Sequence, residues 1–166
     1  MRYAQVLRSL LLAITTLLIG NSVARAVVVT CNGGAHEAVF VVTQNAPTST
    51  TSAVFVPIAD AQISAGASGF PGDLDTYIVT FSGESDSSAG AWEIEAEVSI
   101  NGGVFVNINP TGPNTFQFGK QTNSPSMTWC TRVQATASAV FRMQWRHING
   151  GTANLDDYTM TVRRFN

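Results

Sequence analysis

Hydrophobic and polar positions alternate with a period of two along much of the chain, the pattern of strands with one buried and one wet face. The cleanest run covers residues 92–100, with Trp92, Ile94, Ala96, Val98 and Ile100 on one side and Glu93, Glu95, Glu97 and Ser99 on the other. Asn101-Gly102-Gly103 follows, a strong hairpin signal that leads into a strand over 104–108. Nearer the C-terminus Phe141, Met143 and Trp145 alternate with Arg142, Gln144 and Arg146, and then Tyr158, Met160 and Val162 with Thr159, Thr161 and Arg163. Asn149-Gly150-Gly151 between these runs tolerates the positive φ of a reversal, so residues 139–165 read as a second antiparallel hairpin. A hairpin is not stable alone in water, so upstream strands must cover its aromatic face.

Shorter signals fill in the rest. Residues 27–30, 38–43 and 53–57 predict strands, and the polar stretch 44–52, broken by Pro47, predicts a loop. Residues 60–75 are rich in Gly, Ala, Ser and Asp and read as a long surface excursion with one short strand near Ile63, a candidate binding rim. A strand over 76–82 carries Tyr77, Val79 and Phe81, and a polar link spans 83–90. Further strands are expected over 115–118 and 126–134, the latter with Met127, Trp129 and Val133 inward, between loops over 110–114 and 120–125. That gives about eight to ten short strands and no long helical period, hence an all-β, two-sheet antiparallel β-sandwich of jelly-roll type.

The N-terminus has a different texture. Arg2 and Arg8, an apolar run over 10–19 and Ala24-Arg25-Ala26 form the three-part layout of a secretory signal peptide, with cleavage expected after Ala26. The run is short of the roughly 20 residues that span a bilayer, so no membrane association is expected after cleavage. The domains are then a signal peptide, 1–26, and one β-sandwich domain, 27–166, which is secreted, or periplasmic where the cell has an outer membrane.

Composition narrows the partners. Without the three arginines of the signal, six basic residues face eleven acidic ones, a net charge of −5, with Lys120 the only lysine. Such a chain repels phosphate backbones, which argues against nucleic acid. Charged residues make up only 12% of the chain, so amides and hydroxyls keep the surface wet, a surface suited to glycans or neutral protein partners.

Cys31 and Cys130 would meet an oxidising compartment, and a disulfide between them is the simple expectation; two separate buried thiols are the alternative. Catalytic signals are few. His36 and His147 are the only histidines, and neither a Gly-x-Ser-x-Gly elbow nor a His-x-x-x-His pair occurs, so the chain reads as non-catalytic, with a small secreted hydrolase as a distant alternative. No cofactor is implied. Asp73, Asp75, Asp156 and Asp157 carry the hard oxygens that calcium selects, although pairs of Asp are also ordinary turn formers. Trp92, Trp129 and Trp145 have apolar same-face neighbours and read as core rather than as sugar-stacking platforms.

Glu93, Glu95 and Glu97 point one way at strand spacing. If their strand lies beside that of Arg142 and Arg146, the two sets form a cross-strand ladder; if the strands lie in opposite sheets, the carboxylates form an acidic docking face for a basic partner or a cation.

Residues 77–83, the run from Trp92 through Asn101-Gly102-Gly103 to Val104, and the closing Val140 to Trp145, Gly150-Gly151, Leu155-Asp156-Asp157-Tyr158 and Thr161-Val162 resemble a group of uncharacterised secreted bacterial proteins. More distantly, the strand order is similar to the C1q and tumour-necrosis-factor jelly rolls. That resemblance implies a ten-stranded jelly roll that forms a homotrimer and binds through its loops. It carries no catalytic residues across. The reading is a secreted, non-catalytic binding or structural module for an extracellular protein or glycan, with a carbohydrate-binding module as the alternative.

Overall fold

The structure, a computed structural model, describes residues 36–69, 71–109, 116–118, 124 and 126–166, with the backbone alone at His36, Glu37 and 116–118. The expected signal peptide over 1–26, the strand over 27–30, Cys31, the loop over 110–114 and all but Ser124 of the loop over 120–125 lie outside the described residues.

Ten strands follow one another: β1 (His36–Gln44), β2 (Thr48–Thr50), β3 (Val56–Ala65), β4 (Leu74–Ser87), β5 (Ala91–Ile100), β6 (Val106–Asn107), β7 (Phe116–Phe118), β8 (Ser126–Gln134), β9 (Ala139–Ile148) and β10 (Ala153–Phe165). One sheet has the order β1-β10-β4-β8, with β2 also on β10; the other has β3-β9-β5-β6, with β7 also on β5. Every pairing is antiparallel. Long strands that follow one another in sequence lie in opposite sheets, which is the jelly-roll winding.

The alternation in the sequence decides which face each strand buries. Tyr77, Val79 and Phe81 of β4 and Met160 and Val162 of β10 meet Trp92, Ile94 and Ala96 of β5 and Phe141 and Met143 of β9, all fully buried. Trp92 and Trp145 meet edge to face with ring centroids 6.2 Å apart, and Tyr77 lies 4.9 Å from Phe141 across the two sheets. Rings of this size stabilise by about 1.5–3 kcal/mol each when fully buried, so this layer holds the sandwich together. All three tryptophans belong to it, as their apolar neighbours implied.

Three expectations need correction. First, β9 and β10 are not a hairpin. Asn149-Gly150-Gly151, with φ of 65°, 78° and 122°, carries the chain from one sheet to the other, so the two aromatic faces meet across the core instead of lying side by side. Second, the excursion over 60–75 is mostly strand: β3 runs unbroken in name from Val56 to Ala65 and absorbs a bulge between Pro57 and Gln62, where Asp60 takes φ 61°. Asp and Gly lowered the strand signal there, although Ile58, Ala61, Ile63 and Ala65 all reach the core. Third, the polar link over 83–90 continues β4 to Ser87, because Ser85 and Ser87 turn inward to buried positions that hydrogen bonds make tolerable for a hydroxyl. Smaller departures are β2 within the expected loop 44–52, and the shortening of the strand over 104–108 to Val106–Asn107.

Candidate functional site

The outer face of the first sheet is paved with hydroxyls. Register places Thr43, Thr159, Ser82 and Ser126 in one row across β1, β10, β4 and β8, and Val41, Thr161, Thr80 and Thr128 in the next. Thr43 Oγ1 lies 3.4 Å from Thr159 Oγ1, and Thr80 Oγ1 3.4 Å from Thr128 Oγ1. Each of these residues occupies a wet position of an alternating strand, but four separate strands had to be set in register before they formed rows.

At one end of this face the sheet opens into a cleft of about 140 Å³ lined by Thr43, Asn45, Ser82, Gly83, Asp157, Tyr158 and Thr159. Two local features make it. β10 bulges between Leu155 and Asp157, which turns the Asp157 side chain back so that Oδ1 accepts the Glu84 backbone N–H at 3.3 Å. Gly83, opposite Tyr158 in register, forms the floor. A Cβ there would stand 2.5 Å from the Asp157 carbonyl oxygen and 3.0 Å from Tyr158 Cβ, on the core side with Tyr158, so only glycine lets the two strands approach this closely beneath the cleft.

Beneath the floor, Tyr158 points into the core. Its ring stacks on Phe81 with centroids 5.3 Å apart, and its hydroxyl donates to the Ala59 carbonyl at the β3 bulge. Burial first, and the charge of Asp60 second, push this phenol up to about 12. Asp60 in turn accepts from Gln44 Nε2 at 3.2 Å, while Gln44 Oε1 accepts the backbone N–H of Asn45 and Ala46 and fixes the turn that presents Asn45 to the cleft. The cleft is thus set on paired strands with a supported underside rather than on a free loop.

On the second sheet the acidic strand lies beside β9, with Glu93 opposite Arg146, Glu95 opposite Gln144 and Glu97 opposite Arg142. Arg146 Nε donates to Glu93 Oε2 at 2.7 Å and Arg142 Nε to Glu97 Oε2 at 2.6 Å. Each guanidinium also lies over a ring, Arg142 3.7 Å from the Phe105 centroid and Arg146 4.6 Å from that of Phe55. Glu95 is only 4% exposed and accepts from Asn107 Nδ2 and Gln144 Nε2; burial raises its carboxyl above the ordinary range, and these two hydrogen bonds partly offset that. The docking face required Glu93, Glu95 and Glu97 to stand unanswered, and the register answers all three: they form a cross-strand ladder.

The calcium candidates do not converge. Asp157 lines the cleft and Asp156 is exposed at the bulge, whereas Asp75 sits nine positions back along β4 from Glu84, the neighbour of Asp157, about 30 Å away at strand rise. Asp73 is exposed in the turn before β4, and Asp75 is buried with neither carboxylate oxygen hydrogen-bonded. Among the described residues no group of three or more His, Cys, Asp or Glu is placed to hold a metal ion.

His147, one residue before the end of β9, is buried. Its Nε2 lies 3.0 Å from Ser87 Oγ, a spacing a nucleophile and base would also show. Ser87 Oγ donates to the Ala89 carbonyl, however, so His147 Nε2–H is the donor of the pair. The ring is closed in by Gly151, where a Cβ would come within 3.0 Å of Cε1 and Nε2. His36 has no described side chain, and Cys130 is a buried residue of β8.

No protein-family model and no curated protein matches the chain. Among solved structures it is similar to a Bacillus endospore appendage subunit from a family of disulfide-linked pili, at 16% identity over 84% of this chain and 98% of that one, with a TM-score of 0.36. It is also similar to the VP2 subviral particle of infectious bursal disease virus (12% identity, 87% of this chain, 36% of that one, TM-score 0.46). A third likeness is the CBM36-1 domain of a xylanase from the hindgut metagenome of Trinervitermes trinervoides (12% identity, 74% and 96% covered, TM-score 0.36). The chain shares with such domains a β-sandwich of two antiparallel sheets.

Proposed function

We propose that this chain is an extracellular, non-catalytic binding module that takes a neutral polyhydroxylated ligand, a glycan, in the cleft between β1, β10 and β4. The cleft lining carries the proposal: three hydroxyls, the Asn45 amide and the Asp157 carboxylate around the backbone of Gly83. Amides and hydroxyls both donate and accept, as sugar hydroxyls do, and one carboxylate accepts from two adjacent sugar hydroxyls at once. The rows of Thr and Ser beyond the cleft extend the same chemistry across the sheet, so a chain of several sugar units has a track to follow. Setting the hydroxyls and Asp157 on strands, and Asn45 in a turn that Gln44 fixes, keeps the ordering cost of binding small. Export by the N-terminal segment is part of this reading, as is the distant resemblance of the strand order to C1q-like jelly rolls, which carries no catalytic residues across.

A hydrolase reading would rest on Ser87 and His147, but the hydrogen-bond direction there supports a structural role instead: the serine proton is held by Ala89. The test is a glycan array probed with the wild-type protein and with Asp157→Ala and Asn45→Ala variants of unchanged melting temperature. Wild-type binding to a set of neutral glycans that both variants lose is the expected result. Absence of any glycan signal, or binding undiminished in both variants, removes the cleft as the site.

A further inference from the structure

The sandwich has four strand edges, and three of them are closed or broken. The free side of β5 is covered by β6 and β7. β8 is bridged by Asn109, whose carbonyl accepts the Cys130 N–H at 3.0 Å. The edge of β3 is interrupted by Pro57, by the bulge that follows and by Asp60 at positive φ, which are the devices that keep a second strand from adding. β1 has none of these along residues 38–44: it pairs with β10 on one side, and among the described residues no strand pairs with the other.

The chemistry of β1 matches its openness. Val39 is 47% and Val41 59% exposed on the outer face, directly beside the edge that no described strand covers. No Asp, Glu, Lys or Arg occurs from residue 38 to residue 59. A chain of net negative charge repels its own copies over most surfaces, and this uncharged strip is where that repulsion is weakest. The nearest exposed charge on this face is Arg163, opposite Val39 on β10, and in a sheet joined through β1 the two copies' Arg163 stand at least three strand spacings, roughly 14 Å, apart, beyond the screening length, so a second β1 meets little opposing charge.

We infer that two copies of this chain associate through β1, with the strands antiparallel about a two-fold axis normal to the first sheet, so that two sheets become one. Backbone hydrogen bonds set the contact, and Val39 and Val41 of each copy cover one another. An edge contact of one strand a side falls below the ~1,200 Å² of standard interfaces, so the dimer forms reversibly and at high concentration. The inference stands apart from the glycan reading, but joins it in one respect: the axis leaves both clefts on the same face, where a multivalent ligand would engage the two together.

Sedimentation equilibrium of the purified mature protein, without ligand, from micromolar to near-millimolar concentration tests this. The wild type should rise from one to two chain masses, and Val39→Lys/Val41→Lys should stay at one with its melting temperature unchanged. Amide hydrogen exchange supplies a second readout on unmodified protein: protection over residues 38–44 should increase with concentration. A mass that stays at one chain throughout, a trimer, a dimer indifferent to both lysines, or β1 exchange independent of concentration would overturn it. Because none of these measurements contains a glycan, their failure leaves the cleft reading intact, and the monomeric variant tests the cleft alone.

Discussion

Gln144 stands opposite Glu95 on the neighbouring strand and donates its Nε2–H to Oε2 at 3.1 Å, on a face where Glu95 has only 4% of its surface in water. Burial, the leading cause, raises this carboxyl above its ordinary 4.5, so the fold favours the protonated form. The sign is then opposite to that of a salt-bridged acid: Glu95 costs no stability at low pH and costs progressively more as pH rises through the raised value. Glu95→Gln should leave the melting temperature unchanged near pH 4 and raise it at pH 7. Thermal melts of both proteins across that range check this; a variant less stable at pH 7 would mean that the charge is favourable where it sits.

The ladder gives a second expectation. Arg142 and Glu97 are 27% and 10% exposed in their side chains, between the exposed and buried extremes. Reversing either sign alone should cost about 1–3 kcal/mol, and reversing both should recover much of that. Urea unfolding of the two single variants and the double variant completes the cycle. Additive losses would show that Phe105 packing, not the ion pair, holds Arg142.

Tyr158→Phe removes the hydroxyl that ties β10 to the β3 bulge and leaves the Ala59 carbonyl without this donor. A loss of about 1–3 kcal/mol at neutral pH is expected. Because the phenol is pushed up to about 12, the wild type loses stability as pH rises from the ordinary 10 towards 12, and the variant should not. Denaturant midpoints at pH 7 and pH 11 separate the two effects, and a variant with the same alkaline loss would move its origin to another group.

A bond between Cys31 and Cys130 is proposed on the same terms. Cys130 lies in β8, one edge of the first sheet, and Cys31 a few residues before β1, the other edge, so the bond would staple the sheet across its width. Closing a loop of about 100 residues stabilises by up to ~4–5 kcal/mol in the chain-entropy model. Reduction should lower the melting temperature markedly, and intact mass with alkylation should show no free thiol before it. Two alkylated cysteines in untreated protein would end this proposal.

Much of this architecture is legible in the alternation of residues 92–100 and 139–165, because a period of two names a strand and the side that meets the core; it does not show that Glu95, Glu97 and Ser99 on the other side are buried as well, or that Ile100 at the strand end is exposed. β8 matches its expected range, 126–134, residue for residue. Partnership is harder to read. Asn149-Gly150-Gly151 permits a reversal equally well within a sheet and between sheets, so only the meeting of Trp145 with Trp92 and of Tyr158 with Phe81 decides which occurs. The cleft was hidden for the same reason. Thr43, Ser82 and Thr159 come from three strands far apart in sequence, and Gly83 looked like the start of a loop until its close approach to Asp157 gave it a role. Glu93, Glu95 and Glu97 were visible as a set, and what answers them was a matter of register.

The pairing of β1 with β10 ties the earliest described strand to the last, and it bears on how the chain reaches this state. The first sheet cannot be assembled progressively from one end. Among the described residues β1 has no lateral neighbour until residues 158–165 exist, and β4 waits for β8 and β10 on its two sides. Contacts of such long sequence separation slow folding, which places this chain towards the millisecond-to-second end of the range for small domains. Until β10 arrives, β1 with its exposed Val39 and Val41 has no described strand to pair with.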